Sequence, residues 1–265
     1  MKKREFVLLS AVCALLLVTA GPLLADEPTE EGCAAKCCGI DTKLDVAYVS
    51  KYIWRGNVLN PDAATQPSLT FSHGSGLGYN LWASMDMTNV AANSGNITEI
   101  DHTLSYTWGK GGCMSAGYIY YQFPNTTFVS TSELFASRSL SIGKFSPLLS
   151  VNYDIKEAKG AYFSLGTGYA CSVAWSKNAP ATMDLSAKLG FATSSYNEFY
   201  FYGADKTGLV DLVLGASAPL QIKKIGVRPS VSYSMVVDGT LRDALSANGV
   251  NSDNFVGAVT LSYAF

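Results

Sequence analysis

Only 15% of the 265 residues are charged, against roughly a quarter in ordinary soluble domains, while 24 Gly, 15 Tyr and 12 Phe stand out. A net charge of -2 gives no electrostatic basis for nucleic acid or an anionic surface as partner. An apolar fraction of 48% suits a soluble domain and a membrane protein equally, so the fold class has to be read from patterning.

Lys2, Lys3 and Arg4 followed by the apolar stretch Phe6 to Val18 and the small-residue exit Ala20 to Ala25 read as a secretory signal peptide over residues 1–25, with cleavage after Ala25. Leu23 is not the ideal residue two positions before that cut, and a retained anchor is the alternative. Cys13 lies inside the apolar stretch, which argues against a lipoprotein signal. Residues 26–42 are short, acidic and aperiodic and contain Cys33, Cys37 and Cys38, the pattern of a periplasmic tether. No later run of about 18 apolar residues exists to form a transmembrane helix. A mature chain that spans a membrane must therefore do so as a closed barrel, because hydrocarbon offers no partner to unpaired backbone groups.

From residue 43 to the last residue the chain alternates. The first strand places Leu44, Val46, Tyr48, Tyr52 and Trp54 on one face and Asp45, Ala47, Lys51 and Arg55 on the other. Further strands are expected near 66–72, 77–87, 97–108, 114–123, 132–142, 148–156, 162–173, 183–192, 209–218 and 226–237. The last strand sets Phe255, Gly257, Val259, Leu261, Tyr263 and Phe265 against a small, polar face. The expectation is an all-β, antiparallel up-and-down transmembrane barrel of about twelve strands over residues 43–265. Tight connections at 72–76, 109–112, 143–146 and 221–224 alternate with longer polar ones at 56–64, 88–96, 124–131, 194–206 and 238–252, as short periplasmic turns and longer outer loops would. The connection at 177–182 is long for its side and that at 157–160 short. Tyr52, Trp54, Trp108, Tyr121, Phe123, Trp175, Tyr263 and Phe265 cluster near strand ends, where interfacial girdles are expected, with core aromatics as the alternative.

The stretch Val46-Ala47-Tyr48-Val49-Ser50-Lys51-Tyr52-Ile53-Trp54-Arg55-Gly56, then Gln66-Pro67-Ser68, then Gly78-Tyr79-Asn80-Leu81-Trp82-Ala83-Ser84, resembles the opening of the TorF-like porin family, and Glu99-x-Asp101 before Tyr106 is similar to its next block. The match covers roughly the first quarter of the mature chain, and the Cys-rich tether departs from the pattern. The resemblance implies the bacterial outer membrane and a channel role, but no substrate. Phe265 and Tyr263 at the C-terminus look like the assembly signal read by the barrel-assembly machinery.

Alternation directs Lys51, Arg55, Asp86, Glu99, Asp101, Asp154, Lys156, Asp184, Lys188, Asp211 and Arg228 inward, consistent with a watery lumen, since Lys or Arg facing mid-membrane costs about 2–4 kcal/mol. Arg138 breaks the parity, and a bulge is expected there. The leading reading is a pore for passive diffusion of small polar or charged solutes, with Lys51 and Arg55 facing Asp86, Glu99 and Asp101 across the lumen and no cofactor required. A plugged anchoring barrel, joined to envelope partners through its Cys-rich tether, is the second. A lipid-modifying enzyme is the third and rests only on outward-facing His102, since His73 sits in a turn and Ser105 falls on the opposite face. Cys33, Cys37, Cys38, Cys113 and Cys171 all fall toward the periplasmic end, where disulfides are favoured over a metal site because the spacing fits no zinc pattern. The two Asn-x-Thr sequons at Asn96 and Asn125 read as chance. Beyond outer-membrane lipids, small solutes and the assembly machinery, a homo-oligomer is left open.

Overall fold

The computed structural model describes residues 39–90, 93–176 and 179–265. The expected signal peptide and most of the expected tether, with Cys33, Cys37 and Cys38, therefore lie outside the described residues. Alternating apolar and small polar residues form strands β1 (Ile40–Val49), β2 (Tyr52–Trp54), β3 (Asn57–Asn60), β4 (Ala64–His73), β5 (Leu77–Asp86), β6 (Ile97–Trp108), β7 (Met114–Gln122), β8 (Thr131–Ser139), β9 (Leu148–Asp154), β10 (Ala161–Ser176), β11 (Ala179–Ala192), β12 (Gly208–Ser217), β13 (Leu220–Ile222), β14 (Ile225–Val236) and β15 (Asp253–Ala264). All except β2 and β3 join antiparallel into one sheet, in which β1 pairs with both β4 and β15, β12 pairs with β14, and short β13 pairs with β14 alone, past the end of β12. The sheet thus closes on itself as a barrel of 12 strands, with no edge left to pair elsewhere.

Register sorts the side chains. Leu44, Val46 and Tyr48 of β1 stand opposite Tyr263, Leu261 and Val259 of β15 on the outside. Leu104, Tyr106, Trp108, Leu134, Leu165 and Leu214 are exposed on the same surface. That much exposed apolar area is a liability in water and a requirement in lipid. The end of the barrel with the tighter turns is, by the rule of such barrels, the periplasmic one.

The structure departs from the sequence expectation at several points. The first strand stops at Val49, because residues 50–63 leave the wall and turn into the lumen. It begins at Ile40, opposite His73, so the last three residues of the expected tether belong to the wall. The connection at 177–182 is tighter than expected, since Ala174 pairs with Pro180 and Ser176 with Ala179. No bulge interrupts β8: Arg138 keeps register with Met114 and Leu149 on the outer face, next to the periplasmic end, where a long side chain can reach headgroup level.

Among the described residues, the buried hydrophobic cluster lies at the outer mouth. Helices α1 (Ser194–Tyr200) and α2 (Gly239–Ala247) lie in the two longest connections. Their Tyr196, Leu241 and Leu245 pack with Phe201 and the strand ends Tyr162, Ala192, Val210 and Val236. Each large apolar side chain so buried contributes about 1.5–3 kcal/mol. Asp238 caps α2, accepting from the backbone N–H of Thr240 at 2.8 Å and of Leu241 at 3.3 Å.

Candidate functional site

The chain leaves the wall at Ser50, whose N–H donates to the Gly257 carbonyl at 2.8 Å and whose hydroxyl accepts from the Gly257 N–H at 2.9 Å. β2 and β3 then form a hairpin with Arg55 and Gly56 at its tip, at φ of 49° and 85°. Two successive positive φ values are the signature of a type I′ turn, the turn whose twist suits a two-residue hairpin. Gly56 also fills a tight place: a Cβ there would lie 3.0 Å from Val236 Cγ2 and 3.2 Å from Asp211 Cβ. The Arg-Gly pair of the motif is therefore the turn that folds the hairpin into the mouth.

Arg55 latches that hairpin to the wall. Its Nη1 and Nη2 each donate to one oxygen of Glu133 at 2.7 Å, and Nη1 also donates to the Tyr196 hydroxyl at 2.9 Å. The guanidinium lies 4.4 Å from the Trp54 ring centre and 4.5 Å from that of Tyr162. Glu133 is fully buried and accepts further bonds from the Tyr121 hydroxyl at 2.9 Å and Asn152 Nδ2 at 3.0 Å. A bidentate fork with satisfied lone pairs is the geometry in which a buried ion pair offsets its desolvation. Elsewhere Tyr52 packs on Trp82, Asn60 donates to Asp86 at 2.8 Å, Asn57 donates to the Tyr200 carbonyl and Lys51 donates to Asn254 at 3.3 Å. The hairpin is thus held by β5, β8, β15 and α1.

Two more buried carboxylates extend the belt. Asp154 accepts from Thr131 and from the Tyr200 hydroxyl, both at 2.8 Å. Asp211 accepts from the Tyr162 hydroxyl at 2.7 Å and lies 3.2 Å from Lys188 Nζ. Burial raises the Tyr196 and Tyr200 hydroxyls above the ordinary phenol range, so both stay protonated and Tyr200 remains a donor.

The hairpin divides the interior. On one side an inner cavity of about 390 Å³ is lined by Lys51, Arg55 and Lys188 with Ser186, Ser232 and Ser234. On the other lie two outer hollows of about 340 Å³ and 520 Å³, sharing Leu59, Glu99, Phe123, Thr127 and Phe128, the larger also reaching Asp86. Tyr52 lines both the inner cavity and the larger outer hollow.

Set against the sequence expectation, Lys51 and Arg55 do enter the lumen, but from the hairpin rather than the wall. Asp86, Glu99, Asp154, Lys188 and Asp211 line the inside, and Asp184 and Arg228 share its register, Asp184 with Lys188 and Arg228 with Ser232 and Ser234. Arg55 forms its ion pair with Glu133, a carboxylate outside the set of Asp86, Glu99 and Asp101 expected to face it across the lumen. Lys156 lies past the end of β9, donating to the Ser130 carbonyl in a loop. Tyr52, Trp54 and Tyr121 are interior residues instead of girdle residues, because the hairpin and Glu133 claim them. Sequence reading missed Glu133, although the same alternation that put Arg138 outside puts Glu133 inside. It also missed Tyr162 and Tyr196, for which no short-range signal exists. His102 lies outside, bonded to Tyr79 at 2.8 Å and to Gln122 at 3.2 Å, while Ser105 stands inside opposite Gly117. Cys113 and Cys171 form no disulfide with each other; Cys171 donates to the Met183 carbonyl at 3.3 Å, where β10 and β11 run on past the end of β9.

An antiparallel barrel closed at 12 strands, apolar outside and charged inside, is a transmembrane barrel of the kind that occupies the bacterial outer membrane. No family model and no curated protein matches the chain. Among solved structures, the KdgM porin in complex with disordered oligogalacturonate aligns over 84% of this chain and 99% of its own, at 11% identity and a TM-score of 0.51. The NanC porin aligns over 83% and 98%, at 11% identity and 0.48, and an outer-membrane channel from Pseudomonas putida F1 over 90% and 100%, at 10% identity and 0.42. The likeness to KdgM is one of fold.

Proposed function

We propose that the protein is an outer-membrane channel through which small polar or charged solutes diffuse, and that it belongs with the TorF-like porins whose opening motif it resembles. The observation that carries this reading is the unfilled, charged interior: an inner cavity of about 390 Å³ within the wall, with the β2–β3 hairpin between it and the outer hollows. Barrels of about eight strands have interiors that side chains fill, and this wall has 12 strands, which leaves more room inside. Passage would need no cofactor or energy source, since the wall replaces hydrocarbon by polar groups. Insertion would use the assembly machinery, with Tyr263 and Phe265 as its signal.

The test is conductance of the refolded chain from Asp26 to Phe265 in a planar bilayer. Discrete steps whose ion selectivity changes in Arg55→Ala support the channel. A silent bilayer with folded, heat-modifiable protein refutes it and favours the anchoring barrel. The latch of Arg55 on Glu133 is the specific feature that would suit such a plug.

A further inference from the structure

The two outer hollows share five lining residues, so they are lobes of one vestibule opening on the outer side of the hairpin. One lobe is walled by Trp54, Tyr121, Phe123, Phe128, Phe199 and Tyr200. The other reaches Asp86, and Glu99 stands where the lobes meet. Among the described residues no Lys, Arg or His lines either lobe, whereas the inner cavity beyond the hairpin is lined by Lys51, Arg55 and Lys188. Phe123 and Phe128 meet edge to face at 5.9 Å, and Trp54 meets Tyr200 at 5.0 Å, so the walls are mutually braced.

From this we propose that the vestibule is a binding site for organic cations: an ammonium group carried on an aromatic or short aliphatic body. The identification deepens the channel reading and rests on it for its transport meaning. Aromatic faces attract a cation through their quadrupole and accept its apolar substituents, and the effect grows where water is excluded. A lobe of about 340 Å³ falls within the size of small-molecule sites. Carboxylates without a competing cation complete a site of negative potential. The contrast with the inner cavity supplies a direction, since a cation held outside must pass the Tyr52 and Glu99 contact before it meets positive charge. An anion would meet the opposite order and be turned away at the mouth. A neutral sugar could also stack on these rings, but the Asp86 carboxylate is already engaged by Asn60 and Thr98 and Asn125 by the Ile97 carbonyl, which leaves charge rather than free hydrogen-bonding groups as the dominant feature.

Isothermal titration of the folded full-length mature chain in detergent tests this, with benzyltrimethylammonium as probe and benzenesulfonate and methyl β-glucoside as comparators. Saturable binding of the cation is expected, with at least tenfold weaker binding of both comparators. Glu99→Gln should weaken the cation roughly tenfold, and Phe128→Ala, a change at an exposed loop side chain, severalfold. Folding of each variant is checked by heat-modifiable mobility, and Phe128→Ala keeps the test open if Glu99→Gln misfolds. Equal or tighter binding of the glucoside, no saturable binding, or cation binding unchanged in both variants overturns the proposal. Titration does not require conduction, so binding to a protein that is silent in bilayers would refute the channel reading alone, and discrete steps without binding would refute this one alone.

Discussion

Glu133→Gln removes one charge from the hairpin latch and almost no volume. Arg55 would then keep its rings and the Tyr196 hydroxyl but lose a bidentate carboxylate, inside a site where its own side chain is 10% exposed and that of Glu133 is not exposed at all. Removing one partner of a buried ion pair costs about 3–5 kcal/mol. The left-handed backbone of Arg55 and its cation–π contacts with Trp54 and Tyr162 are common to both proteins and cancel in the comparison. A shift of about 3 kcal/mol, the lower end of that range, is on the order of a hundredfold in the ratio of detached to latched hairpin. The assay places Val58→Cys on β3 and follows its modification by a membrane-impermeant maleimide, read by peptide mass spectrometry, beside single-channel conductance. Glu133→Gln should speed labelling at position 58 by at least tenfold and raise the unit conductance. In an Arg55→Ala background the same substitution should add little, because the interaction is already gone. Unchanged labelling and conductance in folded Glu133→Gln protein would refute the latch.

Gly56→Ala places a Cβ at a φ of 85° and 3.0 Å from Val236, so it should cost about 1–3 kcal/mol and increase labelling at position 58 in the same direction. Lys188→Met strips the inner cavity of a cation and leaves Asp211 with Tyr162 alone; reversal potentials in a salt gradient should move toward cation selectivity, and an unmoved potential would take Lys188 out of the path. Asp238→Ala removes the cap of α2 at a cost of about 1 kcal/mol, seen as severalfold faster proteolysis within residues 237–252. Non-reducing mass spectrometry of the mature chain should find a bridge from Cys33, Cys37 or Cys38 to Cys113 or Cys171; five free thiols would end the idea of a tether stapled to the rim.

The wall was legible because alternation is a local signal: each strand carries its own inside and outside, and Asp86, Glu99, Asp154, Lys188 and Asp211 could be sorted by counting in twos. The hairpin was not legible for the same reason. Tyr48, Tyr52 and Trp54 share a parity, so an unbroken strand from Leu44 to Arg55 was the simplest reading, and only the positive φ at Arg55 and Gly56 separates a turn from a wall. Gly56 was the available clue, since an Arg-Gly pair between apolar residues also suits a hairpin tip. The partners of Arg55 lie 78 and 141 positions along the chain, and no pattern of period two reports contacts at that range. Glu133 is different: the alternation of β8 gives it an inward direction, while the parity of Arg138 alone suggests an irregular strand.

Bulk is distributed unevenly along the lumen, and that decides where selection acts. Toward the periplasm the inward positions are small: Ser105 stands opposite Gly117, Ser186 opposite Gly215, and Gly215 opposite Ser232. Gly117 admits no side chain without a backbone shift, since a Cβ there would fall 2.2 Å from the Leu104 carbonyl oxygen, and a Cβ at Gly215 would fall 2.6 Å from Ser186 Oγ, which would have to turn away. Toward the outside the same walls carry Tyr121, Glu133, Asp154, Tyr162 and Asp211, with the hairpin wedged among them. A solute therefore meets the bulkiest and most densely charged section first and then one with smaller side chains, where Asp184 and Arg228 carry the inward charge. Charge changes nearer the periplasm, such as Ser105→Asp, should alter conductance less than loss of Arg55, because a field in an open aqueous section is screened within about 8–10 Å at physiological salt while one in the crowded mouth is screened much less. Equal effects of Ser105→Asp and Arg55→Ala on ion selectivity would place the constriction below the hairpin and would be incompatible with a mouth that does the selecting.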